Sequence, residues 1–111
     1  MFNKPVNIQE IQDTATERLE FTIKDYPDLP TESSAVRRYQ QKHLALHLSK
    51  NIGAISAMLE VQDHGQEINP ETMAHEIRKI LVNSLTIGRL AGATADIIEQ
   101  SFWDWEQNKI K

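Results

Sequence analysis

The stretch SAVRRYQQKHLALHLSKNIGAISAMLEVQ, residues 34–62, decides the fold. It contains no proline, and its apolar residues recur close to the helical period: Val36, Tyr39, Leu44, Leu48, Ile52, Ile55 and Leu59. One continuous helix of about 43 Å follows from a rise of about 1.5 Å per residue. Ala45, Leu46, Ala57 and Met58 widen the stripe beyond what a single partner helix covers. Such a helix needs burial from two sides.

Working outward, Gly65 in Asp63-His64-Gly65 is a left-handed stop for this helix. Asn69-Pro70-Glu71 then opens a helix over 70–91: Asn caps, Pro pre-sets the first turn, and Glu complements the dipole. Its apolar face carries Met73, Ile77, Ile80, Leu81, Leu85 and Leu90, with Ser84 and Gly88 small enough for close approach. Gly92 ends it, and Thr94 caps a last helix over 94–108 carrying Ile97, Ile98, Phe102 and Trp105.

Upstream, Pro27 and Pro30 make 24–33 an extended connector, with Thr31, Ser33 or Ser34 as caps for the long helix. The first helix is predicted over 7–25. Asn7 caps it, Glu10 sits at the capping-box position, and Val6 and Ile11 have staple spacing. Ile8, Ile11, Ala15, Leu19 and Ile23 form its stripe, and Pro27 sets its limit. The expectation is an all-α fold in one domain over residues 1–111, with two long central helices. Four helices with stripes this wide leave a bundle incomplete, so a dimer or dimer of dimers is expected to close it.

Composition narrows the function. The chain has 111 residues and no Cys, which removes disulfides, thiolate metal sites and cysteine nucleophiles. Its net charge of −4 lacks the basic footprint that nucleic-acid binding requires. No apolar run reaches the about 20 residues that span a bilayer, and the N-terminus has no signal-peptide pattern. A cytoplasmic protein without membrane or nucleic-acid partners is expected. No serine has a nucleophile context, and no glycine-rich phosphate loop occurs.

Several clusters carry donor chemistry. His43 and His47, four apart on one helix, read as surface or interface histidines, or as a transition-metal pair with His75 or Glu76 on the facing helix as candidate third ligand. Zinc hydrolases of the paired-histidine type place a glutamate after the first histidine, where Leu44 stands here. Glu60, Asp63, Glu67 and Glu71 gather near the second loop as a solvated helix end or a displaced divalent site. Arg37, Arg38 and Lys42 form a basic helix start. In Phe102-Trp103-Asp104-Trp105, the two tryptophans point to different sides of the helix; one or both are interface or core anchors.

The run from His43 to Ser56 resembles the first motif helix of MazG-like all-α nucleotide pyrophosphohydrolases. His75-Glu76-Ile77-Arg78-Lys79-Ile80-Leu81-Val82 resembles their second motif. Arg89-Leu90-Ala91-Gly92 with Asp96-Ile97-Ile98-Glu99 resembles the family's helix end and restart. The resemblance covers roughly residues 39–108. It implies a nucleotide ligand, and carboxylates on two facing helices holding Mg²⁺ for hydrolysis of nucleoside triphosphates. The three acids of the first motif fall on Lys50, Asn51 and Ala54. In the second motif Glu76 keeps its acid and the aspartate falls on Lys79. Two ammonium groups and one carboxylate thus stand where the family carries five carboxylates, and a hard dication is repelled there.

The resulting expectation is a non-catalytic MazG-like protein for binding or assembly, with no catalytic residue and no cofactor. Lys50 and Lys79 are candidate phosphate ligands, Glu76 is the one candidate metal ligand, and Trp103 and Trp105 are candidate interface residues. The alternatives are an Mg²⁺-dependent pyrophosphohydrolase with an atypical acid set, or a helical interaction module without nucleotide chemistry.

Overall fold

Asn7 accepts a hydrogen bond from the Glu10 backbone N–H at 2.9 Å and starts the first helix, as its capping chemistry requires. The structure, a computed structural model, describes residues 6–21 and 24–108. Four helices make up the fold: α1 (Ile8–Glu17), α2 (Ser33–Asp63), α3 (Pro70–Leu90) and α4 (Ala95–Asn108). No strand occurs among the described residues.

Local chemistry sets most of the boundaries. Asn69 accepts from the N–H groups of Glu71 and Thr72, with Pro70 at the first helical position. Both α2 and α3 end in a Schellman motif. After α2, Gln66 N–H reaches the Val61 carbonyl and Gly65 N–H the Gln62 carbonyl. After α3, Ala93 N–H reaches Gly88 and Gly92 N–H reaches Arg89. Gly65 (φ +89°) and Gly92 (φ +87°) supply the left-handed residue each motif needs. No atom lies within 4 Å of a Cβ built on Gly65, so Gly65→Ala is penalised by backbone geometry alone. A loss of roughly 1–2 kcal/mol is expected in denaturant unfolding.

Two boundaries depart from the sequence reading. α1 ends at Glu17, well short of residue 25. Phe21 leaves the helical path and stacks on Tyr26 with ring centroids 4.4 Å apart, edge-on to Tyr39 and His43 of α2. This contact outweighs the weak helix propensity of a Phe21-Thr22-Ile23 run. Ile23, placed on the apolar stripe by the sequence, lies outside the described residues. At α2, the capping position falls on Glu32 rather than on Thr31, Ser33 or Ser34, and the Ser34 hydroxyl donates to the Glu32 carboxylate.

α2 and α3 form an antiparallel hairpin. α1 packs on α3 and touches the start of α4, and among the described helices α2 has only α3 as a neighbour. Gln12 is fully buried where α1 meets the α3–α4 corner, and its Nε2 donates to the carbonyls of Leu85 (3.0 Å) and Ala93 (2.9 Å). Arg89 pairs with Asp13 at 3.1 Å across the same contact.

Little apolar surface is covered by these contacts. Leu44 and Ala95 are the only buried apolar residues described, while Leu46, Ile52, Leu81 and Ile97 are each more than half exposed. The radius of gyration is 16.8 Å, against the about 13 Å of a globular chain of this length. No described helix is long and apolar enough to cross a membrane.

Candidate functional site

The α2–α3 pairing buries one polar network. Asn51 Nδ2 approaches Glu76 Oε2 at 3.4 Å, Lys79 Nζ reaches Glu76 Oε1 at 3.2 Å, and Asn83 Nδ2 donates to Asn51 Oδ1 at 2.9 Å. Glu76 is mostly buried, with 14 % of its side chain exposed, and Lys79 is more open at 38 %. Both carboxylate oxygens are engaged, one by an amide and one by an ammonium. A cation would have to displace both partners to reach the only carboxylate of the network. Ala54, one turn after Asn51, is half-buried and brings no donor. Lys50 is exposed and takes part in none of the network's hydrogen bonds.

A second convergence lies nearer the start of α2. His43 Nε2 and His47 Nε2 are 3.0 Å apart, and the Tyr26 hydroxyl is 3.5 Å from the same His43 nitrogen. Phe21 and Tyr26 meet the His43 ring nearly edge-on, at centroid distances of 5.4 and 4.9 Å. Slight burial, then the charges of His43 and Lys50, lower the His47 pKa from the usual histidine value. Neither His75 nor Glu76 joins this pair: His75 Nδ1 lies 3.2 Å from Arg78 Nη2, and Glu76 belongs to the network one turn farther along α2. The third group that the connector brings is a tyrosine.

No family model, curated protein or solved structure matches the chain.

The remaining candidates are scattered. Glu60, Asp63, Glu67 and Glu71 are all exposed, and no three His, Cys, Asp or Glu side chains gather as a metal-binding group among the described residues. Arg37 borders a shallow depression with Arg89, which Asp13 already engages. Trp103 and Trp105 are 61 % and 69 % exposed on a part of α4 that has no contact with α2. Neither ring is covered by a core among the described residues.

Three features escaped the sequence reading. Asn83 lies seven residues after Glu76, hence on the same face of α3, and that spacing was a usable signal. Gln12 sits beside an apolar stripe and reads as a surface residue until the α3–α4 corner supplies its acceptors. An apolar groove of about 660 Å³ also opens between α1 and α3, lined by Ile11, Ala15, Leu19, Ile77 and Leu81, with Arg18 and Arg78 also in its wall.

Proposed function

We propose that the protein is a self-associating, non-catalytic helical protein of MazG-like architecture whose role is binding or assembly. The observation that carries this reading is the uncovered apolar surface. A chain of 111 residues that buries only Leu44 and Ala95 among its described apolar residues has little hydrophobic stabilisation of its own. On α2, Leu48, Ile52 and Leu59 follow one another at steps of four and seven. On α3, Ile77 and Leu81 are four apart. These lines form seams of the kind that a second copy covers in helical dimers. The exposed aromatic end of α4, with Phe102, Trp103 and Trp105, adds anchor-type side chains to the same reading.

The absence of catalysis rests on the network around Glu76. A two-helix Mg²⁺ site needs several carboxylate oxygens, and here one carboxylate is already neutralised by Lys79. Incubation of the pure protein with nucleoside triphosphates and Mg²⁺ is expected to release no pyrophosphate above background. Release that Glu76→Ala abolishes would establish the hydrolase instead. Nucleotide-dependent thermal stabilisation without turnover would mean that Lys79, with or without Lys50, still receives phosphate. Glu76→Gln should then strengthen that binding by freeing the Lys79 ammonium.

A further inference from the structure

We propose that His43, His47 and Tyr26 form a site for a late first-row divalent cation, of the copper, nickel or zinc class, that ties the connector before α2 to the helix. The spacing of the donors is the first argument. Metal–imidazole bonds of about 2.0–2.1 Å at a bond angle of about 90–110° place two nitrogens about 2.9–3.4 Å apart. His43 Nε2 and His47 Nε2 are 3.0 Å apart without any rearrangement.

Preorganisation is the second argument. The His43 ring is walled by Phe21 and Tyr26, and the Tyr26 hydroxyl stands 3.5 Å from the ligating nitrogen. Small movements bring three donors around one point, two from one rigid helix and one from the connector. His47 is exposed, so water can enter and complete the coordination. The donor set selects the ion: two imidazoles suit copper, nickel or zinc, the Tyr26 oxygen joins them as phenolate with its proton released to water, and the lack of a carboxylate disfavours magnesium and calcium. Lys50, one turn on from His47, is exposed and can turn its ammonium into solvent, away from a bound cation. The site shares no residue with the Glu76 network or with the exposed seams, so it stands or falls apart from the proposed function.

The test uses the untagged 111-residue chain, titrated with Ni²⁺ and with Zn²⁺ at pH 7.5 by calorimetry and by thermal melting. One ion per chain is expected, with a raised melting temperature and slower hydrogen exchange around Tyr26. His47→Ala, a change at an exposed helix position, should weaken binding by at least about tenfold. Tyr26→Phe should weaken it less, and His75→Ala should leave it unchanged. Equal affinity in His47→Ala, or no binding by about 1 mM metal, overturns the proposal. An unchanged affinity in Tyr26→Phe removes the connector from the site and with it the tie to α2.

Discussion

Ile52→Glu is expected to break the protein into monomers and strip it of most of its stability. Ile52 is 52 % exposed in the single chain and lies between Leu48 and Leu59 on the uncovered side of α2. Covered by a second copy, the exposed half of this side chain contributes about 1 kcal/mol. A carboxylate in its place loses that and adds a desolvation cost of several kcal/mol. Two-fold symmetry doubles the effect, so self-association should weaken by at least about a thousandfold. Circular dichroism melting should then show a lower transition that no longer rises with protein concentration. The substitution discriminates sharply, because glutamate is at least as good a helix former as isoleucine. In a protein that works as a monomer, Ile52→Glu would lie in water and leave the melting curve in place.

The second large effect is expected at Gln12. Its Nε2 satisfies the Leu85 and Ala93 carbonyls from a fully buried position, and its Oε1 accepts no hydrogen bond among the described residues. Gln12→Ala removes both donors and leaves a void where α1, α3 and the start of α4 meet. Leu85 keeps its place in the hydrogen-bond ladder of α3, so the cost of an unpaired buried carbonyl, about 1–3 kcal/mol, falls on Ala93, and the lost packing adds to it. The expected result is a fall in melting temperature of roughly 10 °C at fixed protein concentration. Gln12→Leu keeps much of the volume and relieves the unpaired Oε1, so it should recover part of that loss. A melting temperature unchanged in both variants would show that this contact is not the anchor of α1.

Where the determinant was local, the sequence was sufficient. Asn7, Asn69, Gly65 and Gly92 act through hydrogen bonds within a few residues, and each sits at the helix end its chemistry dictates. The failure at the end of α1 has the opposite cause. Pro27 sets a local limit, but the helix stops earlier because Phe21 meets Tyr26, Tyr39 and His43, which are five to more than twenty residues away. The polar sites behave in the same way. Asn51, Glu76 and Lys79 were legible as facing positions on two helices, and Asn83 could have been added from its spacing to Glu76, whereas Lys50 was excluded only by the packing of α2 on α3. The histidine pair was visible as a spacing of four. Tyr26 as its neighbour depended on the fold of a connector whose path no periodicity encodes.

A second copy is expected to cover the apolar seams of α2 and α3. The mass of the wild-type protein in solution, measured by light scattering at micromolar concentration, tests it most directly. Twice or four times the chain mass of 12.7 kDa is the expected result. A mass of one chain, together with a cooperative and concentration-independent melting transition, would contradict it.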